Sequence, residues 1–461
     1  MSTTPLNRST APVAPAAPVR LVHLGLGAFH RAHQVWYTVR AEADSKNPEW
    51  GYCSFTGRSP RMSDLLGSQD GLYTLVTRSE DGDSPEIIEG IVETQPADNS
   101  ARLIELLADP ATAVVTLTVT EAGYHLTEDL SLDTADEHVA ADIKALRSGD
   151  TAPELATAAG RIVAGLRARR AAEGGGIAIM SCDNISANGQ TTRASILGMA
   201  QEVDANLADW IKQEVTFPST SIDRITPATE DELITEVAQE TGFADKAPVV
   251  AEPFTSWVIE GEFPAGRPEW ENAGVEFVGD IEPFERRKLW LLNGSHSLMA
   301  YYGQLRGHDT VAEAIADPVV REAVEKLWDE AAAHLTAEEL AVPEYRQQLI
   351  ERFENPRIRH NLAQIAIDGG TKQRMRAVPI MKAELEAGRD GAGAALSIAG
   401  WITYVQETED IADTRADELK EARQAEDPVK ALVAALDETL AANDAALETI
   451  RDAHARVAET R

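Results

Sequence analysis

Val19-Arg-Leu-Val-His-Leu24 runs straight into Gly25-Leu-Gly27 and then Ala28-Phe29-His30-Arg31-Ala32-His33, and this stretch decides the fold. A short apolar run closed by glycines reads as a buried strand. A helical pattern follows from about Phe29 to Ala43. Glycines between a strand and a helix let the backbone approach an anion at the helix N-terminus, where free N–H groups and the peptide dipoles favour negative charge. Gly25, Gly27, Ala28 and Phe29 are therefore candidates to hold the pyrophosphate of a dinucleotide. The third glycine of the full fingerprint is missing, so these residues alone leave a plain tight turn open.

Working outward, residues 52–56, 73–77, 87–93 and 113–120 are β-rich, and residues 176–180 read as a further buried strand. Helical patterns at residues 101–107, 157–170 and 194–212 separate some of these runs. Strands alternating with helices predict an α/β unit, mostly parallel, with helices on both faces of the sheet. From about Phe284 helical patterns dominate, and turn chemistry is sparse except around Gly369-Gly370 and residues 388–393. The predicted organisation is a flexible leader at residues 1–18, an α/β domain at 19–283 and a mainly helical domain at 284–461.

A chain of 461 residues is long enough for more than one core. Its formal charge of −34 repels nucleic-acid phosphates and anionic membranes, so neither is an expected partner. Solubility is the plain reading of that acidity, and local cations in a cleft still leave room for an anionic ligand. Two cysteines, Cys53 and Cys182, make no disulfide framework and have no metal-ligand spacing, which suits a reducing cytoplasm. No apolar run reaches the roughly 18–20 residues of a membrane span. The Ser-, Thr-, Pro- and Ala-rich leader lacks the apolar core of a signal peptide.

Three further groups bear on chemistry. Phe55-Thr56-Gly57-Arg58-Ser59-Pro60-Arg61 follows the second strand and offers no acid for a ribose hydroxyl, while Arg58 or Arg61 suits a 2′-phosphate or simply solvent. Ser181-Cys182-Asp183-Asn184 follows a buried strand, where polar groups face the ligand crevice of a doubly wound sheet. Asn184 is suited to donate to a developing alkoxide, and Asp183 or Asn184 is equally suited to cap the next helix. Lys288-Leu-Trp-Leu-Leu-Asn293-Gly-Ser-His296 places three polar side chains on a largely apolar helix. At about 100° per residue, Lys288 and His296 lie roughly 80° apart and Asn293 about 60° beyond His296, on one broad face. A lysine in an apolar pocket can be lowered toward neutrality and serve as a general base. The plain alternative is a surface lysine beside a buried Asn and His. His30 and His33 have the spacing of a metal pair, but no Cys or carboxylate cluster joins them, so no catalytic metal is expected. There is no G-x-S-x-G elbow for hydrolysis.

Gly25-Leu-Gly-Ala-Phe-His-Arg-Ala-His33, Leu117-Thr-Val-Thr-Glu-Ala-Gly-Tyr124, Ser181-Cys-Asp-Asn184, Asp223-Arg-Ile-Thr-Pro227, Glu252-Pro-Phe-Thr-Ser-Trp-Val-Ile-Glu260, residues 288–296 and Glu351-Arg-Phe-Glu-Asn-Pro356, leading into Asp368-Gly369 and Lys372, occur in this order. Together they resemble the polyol-specific long-chain dehydrogenase (mannitol dehydrogenase) family along nearly the whole chain. The resemblance implies an N-terminal Rossmann-type domain, a mainly helical C-terminal domain, an active site between them and catalysis without zinc. It implies Lys288 as general acid–base, with Asn184 and Asn293 as donors to the carbonyl or alkoxide oxygen. His296 would contact substrate hydroxyls, and Gly25 and Gly27 would hold the pyrophosphate. Asp223 would line the cofactor or substrate pocket, as would Lys372. Most relatives use NAD, the expected cofactor, with NADP not excluded.

The expected substrate is a polyol, keto-sugar or uronate, handled by a monomer or small homo-oligomer. Family members acting on free mannitol can carry Arg where this chain has Gln364, and the form Gln364-Ile-Ala-x-Asp-Gly is closer to the fructuronate reductase branch. After Lys372 the chain reads Gln373-Arg374-Met375-Arg376, without the family's usual proline. These cations suit a carboxylate or phosphate, which keeps mannonate and mannitol 1-phosphate open beside mannitol. A non-catalytic dinucleotide-binding sensor is the reading from another class, and Lys288 between two asparagines argues against it.

Overall fold

In the computed structural model, which describes residues 3–460, Val19–Leu24 forms strand β1 in the middle of a six-stranded sheet. The others are β2 (Gly51–Phe55), β3 (Ile91–Gln95), β4 (Val114–Leu117), β5 (Ile177–Ser181) and β6 (Val215–Thr216). Their order is β3-β2-β1-β4-β5-β6, and every pairing is parallel. This is the doubly wound Rossmann order, which places the topological switch between β1 and β4. Parallel strands covered on both faces must be apolar throughout, and β2, β4 and β5 are buried at every residue. Successive side chains of β1 serve opposite cores. Val22 and Leu24 join Leu103, Leu107 and Ile162, whereas Leu21 joins Tyr37, Trp257 and Trp270.

The chain divides into two compact units, Met1–Ile281 and Glu282–Arg461, where the sequence predicts a change near residue 284. Several elements of the first unit differ from expectation. The run at 73–77 is a strand, Tyr73–Ser79, but it lies outside the main sheet, between Val249–Ala251 and Gly82–Ile88. The run at 87–93 belongs to two sheets, ending Gly82–Ile88 and opening β3. The expected helix from Phe29 is broken at His33 into Ala28–Ala32 and Gln34–Ala41. The expected helix at 194–212 is two helices, Asn188–Val203 and Ala205–Glu214, separated at the extended Asp204, whose carboxylate accepts from Asn206 N and caps the second.

The flexible leader is also corrected, over its described residues from Thr3 on. Thr4–Pro5 pairs in parallel with Phe243–Ala244, and Leu6 is buried with Ala11 and Leu72. Arg8 donates to the carbonyls of Asp70, Ala14, Glu89 and Ile91. Apolar burial and these bonds offset the entropy of ordering a Pro-rich segment. Residues 1–2 lie outside the described residues.

The second unit is helical among its described residues. Its central helix, Ala392–Glu407, is apolar nearly all round and correspondingly buried. The segment from Lys288 is helical, but not as a plain α-helix. Lys288–Asn293 is a π-helical turn, Gly294–Leu298 is α and Met299–Gly303 is π again. The angular offsets expected for a uniform α-helix therefore do not apply. Among the described residues no helix is long and apolar enough to cross a membrane.

Candidate active site

Gly25 closes β1 with φ +115°, a conformation that side chains strongly disfavour. A Cβ there would fall 2.1 Å from the carbonyl oxygen of Thr118, which follows β4. Phe55 O at the end of β2 accepts from both Gly25 N (2.9 Å) and Leu26 N (2.8 Å), which pins the turn from the other side. Gly27 differs: a Cβ on it would approach only Gly25 O, at 3.5 Å, and otherwise enter open space over the turn. It precedes Ala28–Ala32, so the first N–H groups of that short helix, at Ala28 and Phe29, have no intrahelical partner. Open space over the turn and free donors beneath it fit a pyrophosphate.

A cavity of about 550 Å³ opens beside this turn, bounded by Leu26, Thr56, Gly57, Arg58, Arg61 and the start of the helix Asp231–Thr241. Under the turn lies a buried polar core. His23 and His30 stack with ring centroids 3.4 Å apart. Burial pushes His23 down to about 3, and burial followed by the charge of His23 holds His30 well below its usual value. Both ring nitrogens of His30 meet protein partners, Gln34 Oε1 and Ser54 Oγ. Those of His33 meet Gln34 Nε2 and Ser256 O. The pair with metal-like spacing is thus engaged in core hydrogen bonds.

At the end of β5, Asp183 does not cap the following helix, which starts only at Asn188 after an uncapped Ala187. Its carboxylate accepts from Val119 N (3.1 Å), Thr120 N (2.9 Å) and the Tyr124 hydroxyl (2.7 Å). It thereby holds Thr120 at φ +66°. Burial, then the charge of Asp183, raises Tyr124 well above its usual value and keeps it a donor. Asn184 comes next and is exposed. Asn188 Nδ2 donates to Asp183 O and to Thr220 O, tying this loop to the strand Ser219–Asp223. Half-buried Asp223 ends that strand, in register with Ser256.

In the second unit, Lys288 opens the π turn and Asn293 ends it, both half-buried. His296 is 8% exposed, and its Nε2 has no hydrogen-bond partner. Its ring meets that of His360 edge-on, with centroids 4.9 Å apart. Burial holds His296 well below its usual value, helped by the positive charges of His360, Arg352, Arg376 and Lys288. Four cationic or ionisable groups thus converge on one neutral imidazole. Arg376 Nη1 donates to Asn293 O (3.0 Å) and Ser297 Oγ (2.8 Å). Burial lowers its guanidinium to about 10, and no carboxylate among the described residues pairs with it. Lys372 Nζ donates to Ile365 O (2.9 Å), next in the chain to Gln364, which is exposed on the helical turn Leu362–Ile365. Burial lowers Lys372, Arg376 adds to this, and Asp368 and Asp413 oppose it.

The second unit therefore gathers Lys288, Asn293 and His296, while Lys372 reaches the group through Arg376. The first unit gathers Gly25, Gly27, Ala28 and Phe29 at one turn. His360 was not singled out from the sequence, because an isolated histidine in Arg357-Ile-Arg-His360 carries no spacing signal. Among the described residues no group of three or more His, Cys, Asp or Glu side chains is arranged to hold a metal ion.

Residues 19–272 match the mannitol dehydrogenase Rossmann domain, and residues 280–458 match the mannitol dehydrogenase C-terminal domain. The chain is 39% identical over 399 residues to D-mannonate oxidoreductase of Escherichia coli K12, covering 84% of this chain and 80% of that protein. It is 37% identical over 396 residues to mannitol 2-dehydrogenase of Cereibacter sphaeroides, covering 85% and 81%. It is also similar to the solved structure of Pseudomonas fluorescens mannitol 2-dehydrogenase in ternary complex with NAD and D-mannitol, with TM-score 0.79, 31% identity and coverage of 99% and 98%. With both of its domains matched in order, the chain belongs to the mannitol dehydrogenase family of oxidoreductases.

Proposed function

We propose that this protein is an NAD-dependent dehydrogenase that interconverts a sugar alcohol and its keto-sugar, of the mannitol and fructose type, with Lys288 as acid–base and no metal. The observation that carries the reading is His296 Nε2, buried and without a partner beside Lys288. Leaving such a nitrogen unsatisfied costs about 1–3 kcal/mol, and a substrate hydroxyl would satisfy it. Held below its usual value by burial and then by its cationic neighbours, His296 offers Nε2 to a substrate hydroxyl, as lone pair or as N–H according to the tautomer.

The glycine turn fits a dinucleotide, since Gly27 leaves open space above the free N–H groups of the Ala28–Ala32 turn. NAD, when bound, supplies the hydride acceptor. Lys288 takes the proton of the carbinol hydroxyl as that carbon becomes a carbonyl, and returns it in the reverse direction. Asn293 and Asn184 are assigned as hydrogen-bond donors to the oxygen on which negative charge develops. Arg376, on the Asn293 carbonyl, holds that asparagine in place.

A second reading keeps the same chemistry on a uronate or phosphorylated polyol. It is favoured by Arg376, buried beside the site without a carboxylate partner, and by the similarity to D-mannonate oxidoreductase. The experiment is direct. Purified protein with NAD and mannitol, arabinitol, mannitol 1-phosphate or mannonate is followed through the absorbance of the reduced cofactor. Turnover of at least one is expected, and Lys288→Ala should lower kcat by about 10²–10⁴-fold. Full activity in that variant would remove Lys288 from the mechanism, and loss of activity on chelation would bring back a metal.

A further inference from the structure

The end of β2 is where a doubly wound sheet meets the adenosine ribose of a dinucleotide. A carboxylate there holds the 2′-hydroxyl and repels a 2′-phosphate. In this chain β2 ends at Phe55, and Thr56-Gly57-Arg58-Ser59-Pro60-Arg61 follows without an acid. The 550 Å³ cavity lies at this point, and its lining includes Leu26 of the glycine turn together with Arg58 and Arg61.

The state of these two arginines is informative. The chain has 76 acidic and 42 basic side chains, so an arginine readily finds a carboxylate. Arg40, Arg78, Arg102, Arg147 and Arg170 of the same unit each form an ion pair. Arg58 and Arg61 are exposed at the cavity rim, and neither side chain makes a hydrogen bond or ion pair with the described residues. Two other cations line the cavity but are already engaged. Arg31 donates to Gly27 O and Ala247 O, and Lys246 Nζ donates to Ser68 Oγ. The opposing acids are Glu230 and Asp231, at the start of the helix Asp231–Thr241. There they face the positive end of the helix, which offsets their charge.

We infer that Arg58 and Arg61 receive the 2′-phosphate of NADP(H), so that the 2′-phosphorylated cofactor binds at least as tightly as NAD(H). Guanidinium groups suit this role because their planar donors meet phosphate oxygens in pairs. The inference rests on the reading of Gly25–Gly27 as a dinucleotide turn, and goes beyond the NAD of the proposed function by giving NADP(H) a place at the same turn through this chain's own residues.

The test is a binding measurement on the full chain. Nicotinamide fluorescence is followed as protein is titrated into NADPH and, separately, into NADH, with displacement by adenosine 2′,5′-bisphosphate or 5′-AMP. The expected result is an NADPH Kd equal to or below that of NADH, and stronger displacement by the bisphosphate. Raising the ionic strength from about 0.01 M to about 0.1 M, which shortens the screening length from about 30 Å to about 10 Å, should weaken NADPH more than NADH. The double variant Arg58→Ala, Arg61→Ala should shift the NADPH-to-NADH affinity ratio by about tenfold or more toward NADH. NADH binding with NADPH about tenfold or more weaker overturns the inference and leaves the dinucleotide reading intact. An unchanged ratio in the double variant also overturns it. If neither nucleotide binds, the dinucleotide reading fails and the inference with it.

Discussion

Gly25 cannot be replaced without moving something. Its Cβ would collide with Thr118 O, and its φ of +115° is foreign to other side chains. Gly25→Ala should cost about 1–3 kcal/mol of stability. By displacing the turn it should also weaken NADH binding by about tenfold or more. Thermal melts and a nucleotide titration of the variant check both, and a variant matching the parent in each would show that the turn does not depend on this residue. The backbone constraint at Gly25 is legible in the sequence because a glycine between an apolar run and a helix marks a tight local turn. Asp183 is not legible in the same way. Its position suggests a helix cap, yet its partners are the N–H groups of Val119 and Thr120, 64 and 63 residues earlier. Local spacing carries no record of a bond that only the folded sheet creates.

Among elements, the strands of the main sheet are readable because burial on both faces demands unbroken apolar runs. The π-helical turns at Lys288–Asn293 and Met299–Gly303 are not, since side-chain type is the same whether the backbone bonds skip four residues or five. Such turns favour functional positions, and here one carries Lys288 and Asn293 at its two ends. The N-terminal segment is the clearest miss. Its composition reads as leader, but Thr4–Pro5 completes a small sheet and Leu6, 1% exposed, packs with Leu72 and Phe243. Leu6→Ala should therefore destabilise the first unit by about 2–5 kcal/mol. Denaturant unfolding measures this directly, and a loss near zero would mean that the segment adds nothing to the fold.

At the scale of the molecule, buried histidines set the response to acid. His23 and His30 in the first unit and His296 in the second are held below their usual values. Unfolded, each would titrate near 6.5. Below that pH the unfolded chain binds more protons than the folded one, so stability falls as pH falls, by about 1.4 kcal/mol per pH unit for each histidine. Scanning calorimetry between about pH 7 and about pH 5 should show the melting temperature dropping steadily, most steeply for the unit that holds two of the three. A flat profile would falsify the assignment of these histidines as buried and neutral. The strand Thr4–Pro5 has a bearing on how the chain is made. Its partner, Phe243–Ala244, leaves the ribosome long after it, and at about 5–20 residues per second that interval is about 10–50 s. Throughout that time the hydrogen-bonding groups of Thr4–Pro5 have no native strand to pair with, so this segment stays exposed to chaperones and proteases until Phe243–Ala244 has been made.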